Sequence, residues 1–254
     1  MSEIVAIEPH GRVLRVCLDR PEKRNALSAD LCRELAGALE NAGRHQGVGA
    51  IVLAGRGKAF CAGMDVSEVG AAPTGDLDRI HEHLFAIGAR LAKPLIAAVD
   101  GPALGGGMGL VANCHIVVAS ERASFGLTEI RLGLWPFLVF RAVAAALGER
   151  RATELALTGR TFDAWVARDY GLVHEIAQDV DRAAMELAAR VASFSPVSIR
   201  QGLGCLQETR GKDWEIAGMI ARRMRRELFE NPDLKEGIRA FLEKRAPRWP
   251  SLDL

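Results

Sequence analysis

The sequence predicts an α/β fold that ends in a helical region. Three observations carry this. Strand-like apolar runs alternate with helical stripes through the first two thirds of the chain. From about Leu138 onward the pattern is helical. No repeat, low-complexity tract or long linker separates the two parts, and 254 residues suit one sizeable domain with a smaller appendage.

The elements follow in order. IVAIEPHGRVLRVCLDR (4–20) reads as two strands turned at His10-Gly11. Ser28 suits an N-cap and Asp30 a first helical turn, and Leu31, Leu35, Ala38, Leu39 and Ala42 form one stripe. GAIVLAG (49–55) is a buried strand, 76–91 a helix, and PLIAAVDG (94–101) a strand entered through a proline. Residues 106–113 form a short helix and HIVVAS (115–120) a further strand, so the pairing is expected to be parallel. RAVAAALGERRATELALTG (141–159) holds two short helices broken near Gly148. Helices over 180–193, 196–208, 213–229 and 232–244 complete the chain. A period of 3.6 does not say whether these helices pack on their own subunit or on a neighbour.

Composition narrows the partners. Lys plus Arg number 33 and Asp plus Glu 32, so a net charge of +1 gives no reason to expect nucleic acid or an anionic membrane. Five scattered cysteines without a CxxC pair argue against a disulfide framework or a zinc site and for free thiols in a reducing compartment. The N-terminus has a charge at Glu3 and no long apolar core, unlike a signal peptide. The longest run free of charged residues and His, 101–114, is glycine-rich and shorter than the roughly 18–20 residues of a membrane span. A soluble cytoplasmic protein is expected.

The stretch ALGGGMGL (103–110) demands an explanation, because glycine inside a helix costs about 1 kcal/mol relative to alanine. A tight turn between packed elements is one reading. A nucleotide loop is weak: GRGKAF (55–60) lacks the Ser or Thr of a phosphate loop, and the glycine spacing is not G-x-G-x-x-G. Glycines that follow a strand and open a helix also leave backbone N–H groups free to hold an oxyanion. GKAFCAGMDVSEV (57–69), with Ala62-Gly63 before Met64, offers a second donor. Other features have plainer readings. RRMRR (222–226), followed by Glu227, suits an exposed helix face. His81 and His83 suit solvated helix positions better than a pocket, and Cys61 suits packing.

Five segments, in order and over nearly the whole chain, carry a resemblance: RPEKRNALS (20–28), GKAFCAGMDV (57–66), KPLIAAVDGPALGGG (93–107), ASFGLTEIRLGL (123–134) and KEGIRAFLEKRAPRW (235–249). The sequence resembles the crotonase, or enoyl-CoA hydratase/isomerase, superfamily. The resemblance implies a spiral of ββα units over 1–194 and a helical trimerisation region over 195–254. It implies a homotrimer or dimer of trimers acting on an acyl-CoA thioester, with coenzyme A as part of the substrate and neither a separate cofactor nor a metal. The backbone N–H groups of Met64 and Gly106 would hold the thioester oxygen, and Glu129 would move the proton. Lys23, Arg24, Ala26, Ala62, Asp65, Val66 and Gly105 would line the path of the substrate and its coenzyme A. Phe241 and Lys244 would reach the adenine and phosphate end, in some members across a subunit interface. Trp135 and Pro136 would border the acyl pocket.

Several residues keep a second reading. Lys23 and Arg24 also suit a solvated loop, Trp135 plain core, and Glu129 a carboxylate at a helix start. Ser67 stands where the family often has a basic residue. Family hydratases carry two glutamates, and the first of those positions is Gly109 here. This departure points to double-bond isomerisation, in which one carboxylate takes a proton from C2 and returns it to C4. Hydration with Glu129 alone, decarboxylation of a branched or malonyl-type CoA, and non-catalytic acyl-CoA binding are the alternatives.

Overall fold

The computed structural model of the protein describes residues 4–68 and 74–252; Val69, the last residue of the 57–69 segment, lies outside them. Val5–His10 (β1) and Val13–Leu18 (β2) form the expected antiparallel hairpin. Ala50–Gly55 (β3), Leu95–Val99 (β4), Ile116–Ala119 (β6) and Glu175–Ile176 (β9) extend it as parallel strands in the order β1-β2-β3-β4-β6-β9.

Residues alternate across this sheet because successive side chains of a strand point to opposite faces. Val16, Leu18, Ile51, Leu53, Leu95, Ala97 and Val99 belong to the larger core. It also receives the stripe of Ala29–Arg44 (α1), whose start is capped by Ser28 accepting from the Leu31 N–H. Cys17, Ala50, Val52, Ala54, Ile96, Ala98 and Val118 face the other way, onto Val180–Ala192 (α7). Burial on both faces explains why β3 and β4 read as continuous apolar runs.

A second, smaller sheet makes the spiral. Pro102–Leu104 (β5) and Ser124–Gly126 (β7) pair in parallel, and Phe162–Asp163 (β8) closes against β7. Cys61 bridges Ala103, and Met64 bridges Leu27. Each turn of chain therefore leaves a long strand in the large sheet and a short one beside the small sheet: β3 then 61–64, β4 then β5, β6 then β7. Gly106–Ala112 (α3) follows β5 directly.

The structure adds short elements absent from the sequence reading: β5, β7, β8, β9 and the helix Ala164–Asp169 (α6). Runs of two to six residues are too short to show a period. The helix expected over 76–91 is Thr74–Ile87 (α2), followed by a 3-10 turn at Gly88–Arg90. Phe137–Leu147 (α4) and Glu149–Thr158 (α5) break at Gly148 as expected.

Pro196–Thr209 (α8), Trp214–Glu230 (α9) and Pro232–Leu242 (α10) end the chain. The start of α10 is tied down by Asp233, which accepts from the hydroxyls of Ser195 and Ser251. Glu236 accepts from Arg239, Arg245 and the Arg248 N–H. By contrast, α9 buries none of its residues. Among the described residues no helix is long and apolar enough to cross a membrane.

Candidate active site

Two hydrogen-bond patterns fix where the Met64 N–H points. The Leu27 N–H donates to the Gly63 carbonyl at 2.8 Å, and the Asp65 N–H donates to the Leu27 carbonyl at 3.0 Å. In such a parallel bridge the residue between them, Met64, turns its own N–H and C=O to the opposite side. That side holds Leu104 to Gly106: a Cβ built on Gly63 would lie 2.9 Å from the Leu104 oxygen and 3.4 Å from the Gly106 nitrogen. Gly63 also has φ +94°, which favours glycine.

Gly106 is the first residue of α3, so its N–H has no partner within the helix. Among the described residues no backbone carbonyl accepts from it or from Met64. Two backbone donors thus sit on neighbouring segments. Gly105, with φ +53°, makes the turn between β5 and α3, and its N–H is held by the Gly126 carbonyl at 2.8 Å.

Glu129 lies against the same turn. A Cβ on Gly105 would come within 3.1 Å of its Oε1. The residue opens a 3-10 turn, Glu129–Leu132, just after β7, so the small sheet delivers both Gly105 and the carboxylate. Burial raises the Glu129 carboxyl above the usual carboxylate range. Its Oε2 is buried without a hydrogen-bond partner among the described residues.

Gly109 is closed off. A Cβ there would meet Val139 Cβ at 2.7 Å and Phe85 Cε1 at 3.3 Å. Val139 comes from α4, which packs on α3, and Phe85 from α2. The space that a side chain at 109 would need is filled by Val139 and Phe85.

Residues 8–251 match the family model described as enoyl-CoA hydratase/isomerase. The chain belongs to this family. An enoyl-CoA hydratase of Mycobacterium tuberculosis is 34% identical over 96% of this chain and 95% of its own. A mevalonyl-coenzyme A hydratase of Aspergillus fumigatus is 34% identical over 95% of this chain and 92% of its own. The crystal structure of an enoyl-CoA hydratase of Mycobacterium smegmatis superposes with a TM-score of 0.93 at 30% identity, covering 98% and 99% of the two chains. The protein is therefore an enzyme of the enoyl-CoA hydratase/isomerase family with the crotonase fold.

Within that family frame the remaining residues fall into place unequally. Lys23 and Arg24 are exposed on a loop beside the donor segment, where the Ala62 N–H donates to the Arg24 carbonyl at 3.0 Å. The Ala26 carbonyl already accepts from Arg20 at 2.8 Å and from the Ser28 N–H at 3.0 Å. Asp65 is buried and engaged by Arg20 at 3.3 Å and by the Ser67 hydroxyl at 2.6 Å, which keeps its carboxyl below the usual range. Its carboxylate braces the 65–68 turn by accepting from the Ser67 N–H and hydroxyl. Val66 is exposed on that turn. Trp135 packs on Phe140, with ring centroids 5.8 Å apart, and Pro136 is buried at the start of α4. Phe241 and Lys244 are not brought to Met64 and Gly106: α10 packs chiefly on α9 and the 250–252 turn.

Two histidine expectations divide. His83 is exposed and pairs with Glu40 at 3.0 Å. His81 is buried, not solvated, and burial holds its imidazole below the usual pKa. It lies one turn before Phe85 on α2, their rings 6.2 Å apart. Cys61 is packed as expected, and burial pushes its thiol up to about 12.

The sequence reading passed over Asn25. It is fully buried in a left-handed conformation (φ 54°) next to Arg24 (φ 52°). Its amide donates to the carbonyls of Arg56, Ala59 and Phe60 at 2.9–3.1 Å, and its oxygen accepts from the Arg20 N–H at 2.9 Å. Asn25 thereby pins the 20–27 loop to the segment that carries Met64. An asparagine between a charged run and an apolar helix was the available signal, since asparagine tolerates this backbone region.

Proposed function

We propose that the protein adds water across the C2–C3 double bond of a 2-enoyl-CoA, with Glu129 as the only side-chain acid–base. The observation that carries this is the buried, unpartnered Glu129 oxygen beside the Met64 and Gly106 donors. The names of the relatives favour hydration over the isomerisation that Gly109 suggested from sequence.

The steps balance with one carboxylate. The thioester oxygen accepts from the two N–H groups. Glu129 accepts a proton from water as the water oxygen bonds to C3, and the displaced π electrons collect on the thioester oxygen as an enolate. Protonated Glu129 then gives its proton to C2. The enolate collapses and the carboxylate is restored. Each backbone donor is worth on the order of 3 kcal/mol in the transition state. A desolvated carboxyl with a raised pKa suits a group that must both take and give a proton. No step calls for a metal or a separate cofactor.

Isomerisation remains the second reading. The filled space at Gly109 favours it, since moving a proton from C2 to C4 needs one carboxylate and no water. Incubation with 2-enoyl-CoA and 3-enoyl-CoA in deuterated water separates the two by mass and NMR. Hydration gives 3-hydroxyacyl-CoA with deuterium at C2 from the 2-enoyl substrate. Interconversion of the two enoyl-CoAs without a hydroxylated product would replace it by isomerisation, and inertness toward both would remove both.

Self-association and a cytoplasmic setting belong to the same proposal. The first is supported by the unburied α9, the second by five free thiols.

A further inference from the structure

The oxyanion donors follow the C-terminal ends of β3 and β4. At the other end of these strands lies a cavity of about 230 Å³ that the reaction does not use. Arg12 reaches it from before β2, Lys93 from before β4, Arg44 from the end of α1 and Arg200 from α8. Pro196 and Ile199, from the first turns of α8, complete the wall used here.

We propose that this cavity binds a phosphate group. Four cations converge on it, and no carboxylate lines it. Among the described residues Arg12, Lys93 and Arg200 have no salt-bridge partner; Arg44 reaches Glu40 at 3.5 Å. Arg12 Nη2 is buried without a hydrogen-bond partner among the described residues, although Arg12 Nε donates to the Ala192 carbonyl at 3.3 Å. Lys93 Nζ donates to the Val48 carbonyl at 2.7 Å, so its position is set by backbone. Burial, together with Arg12 and Arg200, holds the Lys93 ammonium below its usual pKa. Like charges gathered in a partly desolvated wall repel one another unless an anion sits among them. Arginine forks and lysine ammonium groups are the donors that hold phosphate, and the N-terminal end of α8 adds its dipole to the same wall. Because the cavity joins α8 to the N-terminal ends of β2, β3 and β4, occupancy fastens the helical region to the core.

The test is titration of the full chain with inorganic phosphate and, separately, glycerol 3-phosphate. Melting temperature and calorimetry are read against chloride at equal ionic strength, with sedimentation run on the same samples. A saturable rise in melting temperature over chloride is expected. Arg200→Gln, which alters an exposed side chain, and Lys93→Gln should each weaken the apparent phosphate affinity by about tenfold, the scale of losing one charge-assisted hydrogen bond. Comparable affinities for the two probes mark a site for the phosphate group alone, and tighter glycerol 3-phosphate marks an organic phosphate as the occupant. Three results would overturn the proposal: no rise over chloride, an equal rise in both variants, or a rise only where the sedimentation coefficient increases, since the anion would then act between copies.

Discussion

A carboxylate kept from water costs the fold, and Glu129 carries that cost where the proposed reaction needs a proton carrier. Its folded pKa lies above its unfolded value, so the folded state holds the proton more tightly. Stability therefore falls as pH rises from about 4.5 through the raised value, and the cost is complete only above that value. Glu129→Gln should melt at a higher temperature than wild type at pH 7, with the difference closing below about pH 4. Thermal melts across pH read this, and a lower melting temperature for the variant at pH 7 would contradict it. Gly109 makes the reverse case. A methyl there overlaps Val139, which is buried, so Gly109→Ala should lose about 1–3 kcal/mol despite alanine's better helix propensity. Val139→Ala in the same chain removes the nearest methyl but keeps the Cβ at 2.7 Å, so it should recover only part of the loss, a coupling that urea denaturation of the double-mutant cycle measures. A family-pattern glutamate at 109 meets the same wall.

Among the elements, the 20–27 loop and α10 show how single side chains hold a segment. Asn25→Ala leaves three carbonyls short of a donor, two of them buried, and should cost about 1–3 kcal/mol. It should also reduce turnover, because the same bonds place the Met64 segment; unchanged urea stability would refute this role. Glu236, held by Arg245 and the Arg248 N–H, has its carboxyl lowered to about 2. A depressed acid contributes stability above its unfolded pKa and loses it as pH falls toward the folded value. Glu236→Gln should thus melt below wild type at pH 7, and the gap should shrink between about pH 4.3 and 2. The long elements were legible in the sequence, since the apolar runs of β3 and β4 and the stripe of α1 span enough residues to show a period. The strands β5, β7 and β8 were not, because two or three residues carry no pattern. Yet they deliver Gly105 and Glu129 to one turn. Those two were read only through the resemblance, whereas the glycines around Gly106 and the Ala62-Gly63 pair before Met64 already suggested backbone donors. The filling of Gly109 was not legible, because Val139 lies thirty positions away and only packing brings it near.

For the molecule as a whole, the exposed apolar surface of the helical region is the feature a single chain leaves unexplained. Trp214 is 92% exposed and Phe241 83%, and Met219 and Phe229 are also exposed. Large apolar side chains left to water on α9 and α10 suit the self-association proposed above. Met219→Arg should lower the sedimentation coefficient at assay concentration while leaving the circular dichroism spectrum unchanged, and a wild-type monomer with full activity would refute self-association. If Phe241 and Lys244 serve a neighbouring subunit, the same variant should also weaken coenzyme A binding. The single-carboxylate reaction is tested most directly by the rate of 2-enoyl-CoA hydration and the coenzyme A affinity of Glu129→Gln. Hydration should fall by about 100-fold or more, the usual scale for losing a general acid–base, with affinity nearly unchanged. Hydration by the variant at the wild-type rate would contradict the assignment of Glu129.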